Sequence, residues 1–183
     1  MSEFEERPTR LLWLDLEMTG LNPREQRIIE VAGFVTDFAF EQSGEQFESL
    51  VHQPDEVLDN ADDWVKENMP AQLEASRTSD RDEASVESDF AAFIEEHFQG
   101  EPAVLAGNSI HQDRKFIDEW WPEVARLLHY RMVDVSGLKV IHHGRTGEKF
   151  PKTEQHRALG DVEASVEELK WVLDRLAATD DEQ

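Results

Sequence analysis

Apolar positions along this chain fall into two periods, and the periods alternate. Residues 11–17, LLWLDLE, are almost continuously apolar and read as a buried strand that stops at the Thr19-Gly20 turn. Residues 28–38, IIEVAGFVTDF, predict a second strand, and 46–53, QFESLVHQ, a third that follows a turn at Gly44. The spacing then lengthens. A helix is expected over 60–69 with Trp64 and Val65 turned inward, and a better one over 84–98, where Val86, Phe90, Phe93, Ile94 and Phe98 recur at helical intervals. AVLAGNS at 103–109 is a short buried strand running into a Gly-Asn turn; helical stretches at 114–120 and 122–129 and a strand RMVDV at 131–135 come next. From about 158 to 178 a long amphipathic helix carries Leu159, Val162, Val166, Leu169, Val172, Leu173 and Leu176 on one face. Three strands in series followed by alternating helices and strands predict an α/β sheet covered by helices.

The first strand holds the least expected residues. Side chains two apart share a face of a strand, so Leu12, Leu14 and Leu16 point to the core and Trp13, Asp15 and Glu17 to the other side. One acid on an apolar strand can be a structural hydrogen-bond acceptor, but two adjacent ones raise each other's pKa and call for cations. Oxygen-only ligand sets suit Mg²⁺ or Mn²⁺. A short D-x-E pattern is not specific by itself.

Three further residues share that chemistry. Asp113, in GNSIHQD, begins a helix, where an acid also serves as a cap. The preceding Gly107-Asn108 turn would let the backbone pass close to a ligand. His156 precedes the last helix by little and lies five residues ahead of Asp161. Asp161 sits among Leu159, Val162 and Val166, near the packed face, where an unpaired carboxylate is penalised and a metal resolves the conflict. His156 is one of seven histidines, and a lone histidine is more often structural than catalytic.

Charge changes the picture of what the chain can hold. Its 41 acids against 18 bases leave −23 over 183 residues, with much of the acid at 1–6, 41–48, 55–63, 80–89 and 179–182. Affinity for long nucleic acids comes chiefly from basic contacts to phosphate, so this surface either serves solubility or goes with a substrate too short to need a basic track. The absence of cysteine excludes disulfides and thiolate metal sites. No apolar run reaches the length of a membrane span, and the charged start MSEFEERPTR lacks a signal-peptide core, so a cytoplasmic enzyme is expected. The whole of 1–183 is expected to form one domain, with flexible tails at about 1–9 and 179–183.

Taken in order, Asp-x-Glu on the first strand, an aspartate about a hundred residues on and His-x₄-Asp on the final helix resemble the DEDD-type 3′→5′ exonucleases of the histidine subclass. LDLEMTGL at 14–21, IIEVA at 28–32, GNSIHQDRKF at 107–116 and HYRMVDVSGLK at 129–139 are similar to the oligoribonuclease group of that family, over about 11–176. The resemblance implies a ribonuclease-H-like fold, a central mixed sheet flanked by helices, and hydrolysis of short oligoribonucleotides, chiefly dinucleotides, to nucleoside 5′-monophosphates. It implies two Mg²⁺ or Mn²⁺ ions on Asp15, Glu17, Asp113 and Asp161, with His156 as general base. It implies that Leu21 and Trp64 pack on the substrate bases and that the protein is a homodimer. Tyr130 and Arg131 would then reach the partner's site, Tyr130 stacking and Arg131, with Ser109 and Ser136, binding the 5′ phosphate; Lys139 is a weaker candidate.

Two features depart from the family pattern. Gly160 stands before Asp161 where relatives often carry another acid, and it weakens the helix by about 1 kcal/mol against alanine. The segment 142–155, HHGRTGEKFPKTEQ, holds many of the bases and reads equally as a lid, a phosphate contact or a loop. The alternatives to an oligoribonuclease are a general or proofreading exonuclease on longer DNA or RNA, and a catalytically silent nucleotide- or metal-binding module.

Overall fold

The computed structural model describes residues 7–150 and 158–180. Its centre is a mixed sheet of five strands: β1 (Leu11–Met18), β2 (Ile28–Thr36), β3 (Gln42–Leu50), β4 (Ala103–Gly107) and β5 (Leu128–Asp134), in the order β3-β2-β1-β4-β5. The first three are antiparallel neighbours, and β4 and β5 add parallel to β1. The helices are α1 (Asp55–Asp59), α2 (Asp63–Asn68), α3 (Pro70–Thr78), α4 (Glu83–Phe98), α5 (His111–Trp120), α6 (Pro122–Ala125), α7 (Val135–Thr146) and α8 (Ala158–Asp180).

The alternation in β1 sends its side chains into two different cores. Leu12, Leu14 and Leu16 join Phe90, Ile94, Phe116 and Trp121 under α4, α5 and α6. Leu11 and Trp13 face the other way, against Val135, Val162, Val166 and Leu169 of α7 and α8. Trp13 is fully buried and its indole N–H donates to Thr36 Oγ1 at 2.9 Å. The side of β1 that bears Asp15 and Glu17 is therefore covered by a helix rather than open, which places those acids at the edge of a core. A third cluster, Ile29, Leu58, Ala61, Val65, Met69 and Leu73, seats α1 to α3 on β2.

Several expected boundaries move, each for a local reason. The third strand starts at Gln42, because the reversal is made by Asp37, whose carboxylate accepts from the amides of Ala39 and Glu41. Gly44 lies inside that strand with φ 78°. α3 was not expected; its first residue is Pro70, which ends one helix but suits the first turn of another. The expected helix over 122–129 stops at Ala125, and Leu128 and His129 belong to β5. Residues 135–146, including the first five of the 142–155 segment, form α7, started by the Asp134 side chain on the Ser136 amide and closed by Gly147 at φ 76°, while 151–155 lie outside the described residues. Trp64 is not inward: it is 55% exposed while Val65 is buried. Leu173 also leaves the packed face of α8 at 40% exposed.

Candidate active site

Asp15 and Glu17 sit near the end of β1, opposite Ala32 and Glu30 of β2. The ladder slips immediately afterwards, between Glu17 and Met18, so both carboxylates emerge where the sheet begins to open. Asp161 in the first turn of α8 approaches from above. Carboxylate oxygens of Asp15, Glu17 and Asp161 all lie within 4.8 Å of one another. Asp15 carries the penalty: burial first, then the charges of Asp113, Glu17, Asp161 and Glu30, push its pKa well above the usual carboxylate range. A divalent cation would remove that repulsion, and an all-oxygen donor set is the kind that Mg²⁺ or Mn²⁺ accepts. The residues present therefore fit the group.

Asp113 is not a helix cap here. β4 pairs with β1 only at Leu12 and Trp13, so the Leu16 amide lies beyond that ladder. Asp113, on α5, accepts that amide at 2.9 Å through Oδ1. The side chain is 5% exposed, and burial, with a smaller contribution from Asp134, raises its pKa to about 7 against the opposing pull of the Leu16 and Asp113 amides. It thus ties α5 to β1 and adds charge to Asp15 from behind. A Cβ on Gly107 would lie 2.8 Å from the Leu14 carbonyl, so the glycine lets β4 close on β1. His156 lies outside the described residues, as do 1–6 and 181–183 of the expected tails.

Beside Glu17 a cavity of about 450 Å³ is lined by Leu16, Gly20, Leu21, Asp62, Trp64 and Met69. Leu21 is 66% exposed and Trp64 55%, so two apolar side chains stand on its rim. The loop is held on α2 by paired contacts. Asp62 N donates to the Thr19 carbonyl at 2.8 Å, and Gln26 joins Thr19 Oγ1 at 2.5 Å to Asp62 Oδ1 at 3.1 Å. A Cβ on Gly20 would meet the Asp62 carboxylate, so a larger residue there requires the Asp62 side chain to move.

Ser109 and Ser136 meet on the other flank. Ser109 has φ 50°, and its hydroxyl is 3.1 Å from that of Ser136. Asp134 Oδ1 accepts the amides of both, at 3.1 and 3.0 Å, and its Oδ2 is 3.0 Å from His111 Nδ1. Lys139 reaches inward to Glu168, Nζ to Oε2, at 2.7 Å. Tyr130 and Arg131 lie on the edge strand β5. Tyr130 is 49% exposed, its ring stacked 4.6 Å from His129, with the Arg131 guanidinium 5.2 Å from its centroid. Neither belongs to the acid cluster or lines the cavity beside it. Asp134, Asn108, His111 and Glu168 were not singled out from the sequence. Asp134 two residues before Ser136 is a capping signal that reading 131–135 as one strand concealed.

The sheet order and the acids at the end of its central strand define an α/β exonuclease fold of the ribonuclease-H-like type. Residues 12–169 match the profile of the family described as Exonuclease. The chain is 39% identical over 166 residues to an oligoribonuclease from Chromobacterium violaceum, covering 88% of this chain and 92% of that one. It is 41% identical to an oligoribonuclease from Nitrosomonas europaea, with the same coverage. Exonuclease I of E. coli, solved in complex with a dT13 oligonucleotide, superposes with TM-score 0.60 at 19% identity over 96% of this chain, which spans 43% of that longer one. That likeness concerns the fold. The chain belongs to the DEDD exonuclease family and, within it, to the oligoribonucleases. No helix among the described residues is long and apolar enough to cross a membrane.

Proposed function

We propose that this 3′→5′ exoribonuclease acts on short oligoribonucleotides, chiefly dinucleotides, and releases nucleoside 5′-monophosphates. The observation that carries the reading is the meeting of Asp15, Glu17 and Asp161 within 4.8 Å beside a cavity of about 450 Å³. In this reading Asp15, Glu17, Asp113 and Asp161 hold two Mg²⁺ or Mn²⁺ ions. When bound, such ions neutralise the phosphoryl oxygens and the charge that develops on the leaving oxygen. His156 is the general base, taking a proton from the attacking water as the phosphorus–3′-oxygen bond breaks.

Leu21 and Trp64 flank a base by apolar contact, which every base tolerates because each has a π-face. Ser109 and Ser136 take the 5′ phosphate, with Arg131 contributed by the partner subunit of a homodimer and Tyr130 stacking beside it. The guanidinium fork matches a phosphate, and Tyr130 and Arg131 stand on an edge strand available to a neighbour. The net charge of −23 supports a short substrate, since a dinucleotide offers little backbone for a basic track. A cytoplasmic location accords with this role.

Initial rates with Mg²⁺ on 5′-phosphorylated RNA of two, three, five, seven and twenty nucleotides test the reading. A steep preference for the dinucleotide, abolished in His156→Ala, is expected. Equal or better rates on the longest strand would instead make the enzyme a general exonuclease.

A further inference from the structure

Glu168 lies within α8, seven positions beyond Asp161, and is fully buried. Its Oε2 accepts from Asn108 Nδ2 at 2.6 Å and from Lys139 Nζ at 2.7 Å, while Oε1 is buried with no hydrogen-bond partner among the described residues. A carboxylate withdrawn from water is costly even when paired, so its contacts indicate what it organises. Asn108 is the junction. Its Oδ1 accepts from Ser136 Oγ at 3.1 Å, and its Nδ2 also reaches Ser165 Oγ at 2.9 Å. Ser165 Oγ in turn donates to the Asp161 carbonyl at 2.8 Å. One polar chain therefore runs from the turn of α8 that carries Asp161, through Asn108, to the Ser109–Ser136 pair.

We propose that Glu168 is a positioning residue for recognition of the substrate's 5′ phosphate, an inference that rests on the assignment of Ser109 and Ser136 to that group. By holding Asn108 and Lys139 it sets the span between the serine pair and the acid cluster. A fixed span suits a substrate with one phosphodiester between its 5′ phosphate and its 3′ end. Lys139 is committed to Glu168, so it orders the floor beneath the serine pair. Without the carboxylate, Lys139 loses its acceptor at 2.7 Å and Asn108 loses the shorter of its two Nδ2 contacts, keeping Ser165 and the longer approach of Lys139 to its Oδ1 at 3.4 Å.

The test compares kcat and KM of the intact enzyme on the 5′-phosphorylated and 5′-hydroxyl forms of one dinucleotide, for wild type, Glu168→Gln and Glu168→Ala. In Glu168→Ala, KM for the phosphorylated form rises by about tenfold, the worth of one hydrogen bond to a charged group. KM for the 5′-hydroxyl form and both kcat values move far less. Glu168→Gln retains an acceptor but loses the charge, so its effect has the same direction and is about threefold, less than one such bond. If the alanine variant gives no cooperative melt, the glutamine variant decides. An unchanged ratio between the two forms in Glu168→Gln overturns the role, as does an equal loss on both. A wild type indifferent to the 5′ phosphate would remove the phosphate pocket and this role together. Discrimination kept by wild type and variants alike removes only the role of Glu168.

Discussion

The end of β1 and the junction of β4, β5, α7 and α8 both gather buried charge, but they balance it in opposite ways. At the junction every acid meets a donor of this chain: Glu168 takes Lys139 and Asn108, and Asp134 takes two amides and faces His111. At the end of β1, Asp15 is pushed above its ordinary pKa by burial first and then by four other carboxylates. Compensated charge behaves as architecture and need not change when a ligand arrives. Uncompensated charge stores a free-energy difference that a cation can release, so it is there that binding has most to gain. Removing charge from the two regions should accordingly have contrasting consequences.

The sharpest separation lies in turnover. Asp161→Asn removes one carboxylate from the cluster while keeping its size. Rates on a dinucleotide are expected to fall about a thousandfold, since a metal contributes several kcal/mol to stabilising such a transition state. The folded protein should survive, because a repulsive charge is lost rather than a bond. Steady-state rates with a parallel thermal melt check both halves. A loss of only a few fold would put Asp161 in the architectural class with Glu168.

A smaller effect is expected at the rim of the cavity. Trp64→Ala should raise KM by about tenfold to a hundredfold, the 1–3 kcal/mol of one base stacked on an aromatic ring. Its side chain is 55% exposed, so the melting temperature should hardly move. If stability drops as much as binding, the indole is part of the α2 packing and the cavity takes its base elsewhere.

The sequence revealed these two regions unequally, and the same contrast explains why. Asp15 and Glu17 interrupt an apolar strand, and a polar residue inside a hydrophobic run stands out. Their neighbours in space, Asp113 and Asp161, were recoverable through order and spacing. Asn108, Ser165 and Glu168 are polar residues in a turn and on a helix, where polarity is the default and carries no information. Glu168 lies beside Leu169 on α8 yet is fully buried, because Lys139 arrives from α7, and α7 itself was hidden. DVSGLKVIHHGRTG has a capping aspartate and a closing Gly147, but its glycines at 137 and 144 weaken the helical pattern. Strands were easier than their ends. β1 and β2 are apolar on both faces and register themselves, whereas exposed β3 begins where the Asp37 turn releases it. Trp64 was misread because an aromatic residue next to Val65 was assigned the same inward side, whereas only Val65 is buried.

The last contrast is with pH in the absence of metal, and its sign follows from the direction of the shifts. Asp113 has a folded pKa of about 7 against an ordinary 3.8, and Asp15 is shifted the same way. Between those values the folded chain keeps protons that the unfolded chain has released. The unfolded state therefore binds fewer protons, and stability falls as pH rises through that window. Melting temperature in EDTA should decrease from pH 5 to pH 7.5, and Mg²⁺ should restore it most at the upper end, where the carboxyls must be ionised to bind it. Asp113→Asn keeps an oxygen for the Leu16 amide and removes one of the titrating groups. It should flatten the slope, raise metal-free stability at pH 7.5 and blunt the Mg²⁺ gain. A metal-free stability that stays level across this range would mean that the acids at the end of β1 are compensated within the chain, and the two regions would no longer differ in kind.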